Sequence, residues 1–474
     1  MNKIVVYTTI FLLLYAGLLN AQDVIELKSA NELSGKVVNG KSIREANGKV
    51  HLVQGNISVY CNSATQWIDE NKVELRGNVR IVQDTLTLIT SQGMYYGNER
   101  RATGQGGIIL QDPNATLTAN NGTYTFLDGK AIFRNNVKIV NPGYTITSDE
   151  LTYFRFTEDS YAKGNVMVTT DSAVITANSI DFLRRSGITK AFDRAKIESD
   201  STIITADSLL NYRRESRSIA SGNVVIISLR NNAIISGDYG ENFELINYSY
   251  IRGNAQLEQI EQGSDTLIIY SEVMEAYRNN PEYYVAKDNV ELIRGEFIAR
   301  CGRGVYLPEP ETVALTLQPV VWQENSQMTG DSIYAEFPGN VLQQIYVSKL
   351  PDMKNSVRSF VLTKNENRFF EDRTDQASGN YITMNFKNDK LNLVEIFGDA
   401  SSIYFLYEKG MANGVNIING RDMVIYLDES ESVEKINVME NPAGQYVPEA
   451  KIDEVNLRLP GFEIRNDRPV RKSN

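Results

Sequence analysis

The chain has 474 residues, yet only one histidine, two cysteines and two tryptophans. With His51 as the sole imidazole, a Ser-His-Asp or Cys-His centre has one place where it could be built. His51 stands on an alternating stretch at the start of a repeat series, where it reads as a surface or structural residue. A zinc site of ordinary composition is nearly excluded. No glycine-rich loop precedes a helical pattern, so no nucleotide site is suggested, and neither cofactor nor metal is expected. Basic residues are outnumbered 59 to 48, a net charge of −11, which disfavours nucleic acid as a partner. Long apolar runs are lacking beyond Ile4 to Leu19. That run follows Lys3 and ends near Ala21, the pattern of a cleaved secretory signal peptide over 1–21, with an uncleaved anchor helix as the alternative. No cysteine follows it, so lipoprotein processing is not expected. The remainder should be soluble and outside the cytoplasm.

What the chain does have is recurrence. Gly-Asn-Val stands at Gly77-Asn78-Val79, Gly164-Asn165-Val166 and Gly222-Asn223-Val224, with a variant at Asn135-Asn136-Val137. Asn136 to Asn165 is 29 residues and Asn165 to Asn223 is 58, twice that. Further anchors in phase are Gly48-Lys49-Val50, Gly106-Gly107-Ile108, Arg194-Ala195, Gly253-Asn254-Ala255, Asp288-Asn289-Val290 and Gln318-Pro319-Val320. A second element follows ten to fourteen residues later, as in Ile146-Thr147-Ser148-Asp149 and Ile204-Thr205-Ala206-Asp207. An aromatic comes next: Tyr95, Tyr124, Tyr153, Phe182, Tyr212. A fixed period carrying phased elements is the mark of a chain that stacks one small unit on itself.

After each anchor the residues alternate, as in Val79-Arg80-Ile81 and Val166-Met167-Val168, which predicts half-buried strand. Gly-Asn is expected to be the turn that launches each strand. No long 3.6-residue periodicity appears, so the fold class is all-β, a repeat-built, solenoid-like stack of short strands. One strand spacing per rung would make ten rungs span ~45–50 Å. The ladder Asn62, Asn120, Asp149, Asn178, Asp207 and Asp331 could bind calcium or serve acid–base chemistry. It reads instead as turn residues capping strands, because Asn replaces Asp freely. Cys61 and Cys301 occupy the same place in rungs about eight apart, too far for a disulfide, and are expected as unpaired, mostly buried thiols.

The organisation expected is a lead-in at 22–45, a first stack over 46–348 and a linker at 349–378. A second stack or continuation follows over 379–447, and then a polar, mobile tail at 448–474.

The phased Gly-Asn-Val, Thr-Ala-Asp/Asn-Ser, Tyr pattern resembles the OstA/LptA family of periplasmic lipopolysaccharide-transport proteins. The segments Val59-Tyr60-Cys61-Asn62-Ser63-Ala64 and Gln318-Pro319-Val320-Val321-Trp322 are similar to large OstA-like proteins of the Bacteroidetes type. The simple bridge protein of that family is far shorter. The resemblance implies an elongated β-jellyroll in the periplasm, open along one side as a trough that holds lipid A acyl chains. It implies no enzymatic activity. Exposed edge strands would join other lipopolysaccharide-transport components or a second copy head to tail. The trough-lining candidates are the inward alternates Val79, Ile81, Val137, Ile139, Val166, Val168, Val224 and Ile226, which would serve equally as sealed core. Two other functions fit a phased stack: a secreted β-helix enzyme acting on polysaccharide through Asp149 and Asp207, or a structural or adhesive solenoid without ligand.

Overall fold

A computed structural model describes residues 23–472 except 231, 261–264, 351–355, 365–372, 389 and 409. The expected signal peptide over 1–21 lies outside the described residues. The chain divides into two compact units, residues 1–197 and 198–474.

In the first unit, ten strands form an antiparallel meander in which each bonds to the next. They are β3 (Lys41–Gln54), β4 (Ile57–Trp67), β5 (Lys72–Gln83), β6 (Leu86–Tyr96), β7 (Arg101–Gln111), β8 (Thr116–Thr125), β9 (Lys130–Asn141), β10 (Tyr144–Phe154), β11 (Asp159–Thr170) and β12 (Val174–Leu183). Two strands in the expected lead-in, β1 (Glu26–Ser29) and β2 (Glu32–Val38), both pair with β3. β13 (Ile188–Glu198) follows β12. Each 29-residue period therefore holds two strands and advances two spacings, ~9.6 Å, not one.

The anchors are not turns. Gly77 and Asn78 lie in the middle of β5, both left-handed, with φ of 73° and 51°. The pairing register slips there, between Arg76 and Val79. All ten anchors carry such a consecutive left-handed pair, from Gly48-Lys49 through Asp193-Arg194 to Leu317-Gln318. Each is a bulge that bends its strand, so the two halves of the strand enter two layers around one interior. Along β5 the buried set is Val73, Leu75, Val79 and Ile81. On the partner β4 it is Ile57, Val59, Cys61, Ala64 and Gln66, which slips phase at Asn62.

Asn62 is not a strand cap either. It sits mid-strand, folded over the neighbouring bulge, where its Oδ1 accepts from the Asn78 amide at 3.4 Å. A Cβ on Gly77 would meet Asn62 Nδ2 at 2.6 Å. At Asn62, Asp149 and Asp207 the Asx ladder and the Gly-Asn anchors are thus one device, whereas Asp331 accepts from the Leu350 and Val357 N–H groups at 2.7 and 3.0 Å. Asp149 accepts from Asn165 at 2.8 Å, Asp207 from Asn223 at 3.1 Å and Asp238 from Asn254 at 3.2 Å. The residue preceding each of these Asx side chains is small and buried, as in Ser148, Ala177 and Ala206. Cys61 and Cys301 occupy that same place and are both free and buried. Burial pushes their thiols up to about 11 and about 12.

The second unit begins with the same meander: β14 (Thr202–Tyr212), β15 (Arg217–Ser228), β16 (Ala233–Phe243), β17 (Tyr248–Gln259), β18 (Leu267–Tyr277), β19 (Tyr283–Arg294) and β20 (Phe297–Leu307). β20 then pairs through its two halves with separate strands, Thr312–Thr316 and Val320–Gln323. One layer continues through Ser332–Glu336, Gln344–Ser348 and Tyr381–Lys387. The other continues through Ser326–Thr329, Ser359–Lys364 and Thr374–Gly379. The long strand Lys390–Glu408 pairs with both and rejoins them. Residues 349–378, expected as a linker, therefore contribute two strands of one layer. Their pattern is hard to read because each covers half of a bent strand, too short to show a period.

The C-terminal segment also departs from expectation. Residues 455–472 carry no regular structure, yet they run as a strap across the outer face of one layer. Val455, Leu457 and Leu459 pack towards Ile403, Phe405, Val415 and Val447. Gln376 donates to the Leu457 carbonyl at 2.7 Å and accepts from the Leu459 N–H at 2.9 Å. Gln327 holds the Glu463 carbonyl at 2.8 Å and the Arg465 N–H at 2.7 Å in the same way. Farther on, Arg471 meets Glu258 at 2.7 Å and Lys472 meets Glu291 at 3.0 Å.

Gly77→Ala is expected to destabilise the protein by about 2 kcal/mol, through left-handed strain plus the clash with Asn62. Gly40→Ala, at a similar φ of 76° but with open space around its Cβ, should cost only the strain, about 1 kcal/mol. Urea unfolding of both variants and of Gly77→Ala/Asn62→Ala checks this, and the double variant should recover part of the loss.

Candidate functional site

Each unit builds an interior from two cross-strand rows, one in each layer. In the first unit, one row runs Leu52, Val59, Ile81, Leu88, Leu110, Leu117, Ile139, Ile146, Val168, each paired to the next. The opposite layer carries Val73, Tyr95, Ala102, Tyr124, Ala131, Tyr153, Ser160 and Phe182, again paired in order. Large rings alternate with small residues, so neighbouring rings interdigitate rather than collide.

These rings reach the free ends of the two layers, where a polar seam closes the first unit. Tyr95 OH donates to Gln54 Oε1 at 2.6 Å, and Gln54 Nε2 donates to the Gly97 carbonyl at 3.0 Å. Arg155 reaches Asp112 at 3.4 Å and Thr85 at 3.1 Å, and Asn114 donates to Glu158 at 3.1 Å. Behind this seam Val79, Ile81, Val137, Ile139, Val166 and Val168 are all 3% exposed or less. The structure buries these six trough candidates together in the interior of the first unit.

The second unit differs. Its inward row begins Ile204, Ile226, Ile235, Leu257, Ile269 and continues to Leu292 and Ala299. The first five are only half-buried, whereas Leu292 and Ala299 are buried. Val224 is buried beside the bulge and Ile226 is half-exposed. The facing row explains the change. In place of alternating rings it reads Asn211, Ser218, Asn242, Ser249, Ala276 before aromatics resume at Tyr284 and Tyr306. Tyr212, expected to continue the aromatic series, is one residue out of phase. From Phe182 the 29-residue step lands on Asn211, so Tyr212 turns to the outer face.

The result is an amphipathic interior: an isoleucine wall opposite small and polar side chains. Arg278 stands at the polar side, donating to Ser249 Oγ at 2.7 Å and Asn242 Oδ1 at 2.8 Å. Farther along, the ends of the layers approach again, where Phe297 and Phe337 pack edge to face at 5.1 Å and Arg294 binds Asn340 Oδ1 at 2.6 Å. Asn211, Asn242 and Arg278 were missed in the sequence, although strict counting from Phe182 finds the first. Asp149 and Asp207, the carboxylates on which a polysaccharide-acting enzyme would depend, sit in bulge clasps two periods apart, on either side of Asn178, and are occupied by asparagine amides.

Residues 22–114 and 101–149 match the family model described as OstA-like protein. Residues 22–149 thus resemble that family. No curated protein matches the chain. The OstA-like stretch thus covers the first bulged, ring-filled rows, and the amphipathic interior lies beyond it.

Burial pushes the Tyr124 phenol up to about 12 against the neighbouring Arg155 charge, and raises Tyr95 and Tyr153 as well. Folding then favours the protonated phenols. Their contribution is fully present below the ordinary phenol value near 10 and is lost as pH rises towards the folded values. Alkaline unfolding of the seam is therefore expected above about pH 10. Phenolate absorbance followed against pH, with Tyr95→Phe and Tyr153→Phe as comparisons, checks it. Both variants should lower the steepness of stability loss above pH 10.

Proposed function

We propose that the protein is a non-enzymatic carrier that holds the acyl chains of lipopolysaccharide in the interior of its second unit. The OstA-like family is a transport and binding family associated with lipopolysaccharide, which supports this assignment. The observation that carries it is the replacement of the aromatic row by Asn211, Ser218, Asn242, Ser249 and Ala276 opposite the half-buried Ile204–Ile269 row. An acyl chain laid along that row gains about 0.8 kcal/mol per methylene removed from water. An acidic protein can therefore hold an anionic lipid by its tails. The polar row and Arg278 give the head group hydrogen-bond donors and one positive charge. The ring-filled first unit acts as a rigid bridge rather than as the binding segment.

The same reading places the protein in the periplasm, delivered by the leader over 1–21. The first unit supplies a docking end for other transport components or a second copy. On β2, Leu33 and Val37 share the inward register of Ala46, yet they are 60% and 73% exposed. A partner strand added there would cover them.

A photo-reactive residue at Ile226 or Ile235 is expected to form adducts with lipopolysaccharide, and the same residue at Val79 is not. Asn211→Tyr with Asn242→Tyr should restore the ring series and cut binding about tenfold, the equivalent of roughly two methylenes lost from contact. Adducts at Val79 in place of Ile226 would move the site to the first unit; absence of adducts at every position would overturn the carrier reading.

A further inference from the structure

The C-terminal strap does more than cover a sheet. Where it passes over Gln327 it roofs a pocket of about 320 Å³ on the outer face of the second unit. Such a volume is within the range of small-molecule sites. The floor is apolar: Trp322 and Leu362 are 6% and 3% exposed, and Ile464 leans in from the strap. The rim is cationic, with Lys364 from the sheet and Arg465 and Arg468 from the strap, against one lining carboxylate, Glu324. Arg465 is engaged with Asp467 at 2.7 Å. Arg468 has looser partners, the Glu324 carbonyl at 3.1 Å and Glu296 at 3.4 Å.

Two features mark the place as built. Outward positions of a sheet are ordinarily polar, yet here a tryptophan and a leucine point outward and are kept dry by the strap. Gln327, itself 7% exposed, spends its amide on positioning the strap backbone on either side of Ile464. That fixes Ile464 and Arg465 over the floor. In a chain of net charge −11, Lys364 and Arg468 beside an apolar floor favour an anion with an apolar body.

We propose that the strap and the Trp322 face together form a binding site for an anionic amphiphile, a phosphate or carboxylate head on a short apolar body. Lys364 and Arg468 receive the head, and Trp322, Leu362 and Ile464 receive the body. This site lies on the outside of the sheet and is independent of the interior carrier reading.

The test uses the full-length protein with Trp67→Phe, which leaves Trp322 as the sole tryptophan reporter. Octyl phosphate is titrated against octyl glucoside and inorganic phosphate, below the micelle threshold. The expected result is a saturable change in Trp322 emission with octyl phosphate and none with octyl glucoside. Inorganic phosphate should bind at least about tenfold more weakly, because the apolar body contributes. Lys364→Ala and Arg468→Ala, both surface changes checked by circular dichroism, should each weaken octyl phosphate about fivefold, the scale of one partly exposed charged contact. An unchanged Trp322 signal, equal response to octyl glucoside, equal affinity for inorganic phosphate, or undiminished binding in both variants would overturn the proposal. Because interior ligands do not touch Trp322, such a failure is separable from failure of the carrier reading, which is read by adducts at Ile226.

Discussion

The structure depends on a backbone conformation that most residues avoid. Two consecutive left-handed residues in the middle of a strand cost energy at any position other than glycine or asparagine. They recur on every second strand of the meander, where the pairing register slips and the strand bends from one layer into the other. The side chain of the adjacent strand closes over each bend: Asn62 over Gly77, Asp149 over Gly164, Asp207 over Gly222. Where the bend is Gly-Asn, the clasp sits against the glycine and accepts from the asparagine amide, which couples residues sixteen apart in sequence, as at Asn62 and Asn78. From this one requirement follow the phase of the buried residues, the small residue that holds either cysteine, and the existence of an interior.

What fills that interior is set independently of the bend. The first unit interleaves tyrosines with alanines and stitches its free edges through Gln54, Asp112 and Arg155. The second unit keeps the bend but leaves out the rings. In the proposed carrier, function is thus written as a substitution within a constant frame, and binding capacity comes from side chains that are small where their counterparts were large. A repeat protein can specialise one stretch in this way without disturbing its neighbours, because each strand is supported mainly by the next.

The period and the all-β character were legible from Gly-Asn-Val because backbone strain restricts which residues can stand there. The meaning of the tripeptide was not: a left-handed Gly-Asn looks the same in a hairpin turn and in a mid-strand bulge, and only pairing tells them apart. The Asx ladder was misjudged for the same reason, since Asn and Asp serve both turns and clasps. Val79 through Val168 are buried, but sequence alternation cannot distinguish a sealed interior from an accessible one. That difference lies across the interior, in Asn211 and Asn242, residues that look unremarkable in isolation. The strands at Ser359–Lys364 and Thr374–Gly379 escaped because half-length strands carry no second half to set the phase.

The strap also depends on the order in which the second unit assembles. From Leu457 to Arg471 is fourteen residues, a reach of about 46 Å when extended. The strands crossed between those contacts span about 34 Å. The strap therefore lies across strands some two hundred residues earlier in the sequence, at Glu258 and Tyr270. Gln376 and Gln327 can seat the strap only when their own strands are already paired. Seating of the strap thus acts as a checksum on the second unit. A chain in which any crossed strand is misregistered leaves its apolar outer face, Trp322 and Leu362, bare to whatever inspects unfinished proteins.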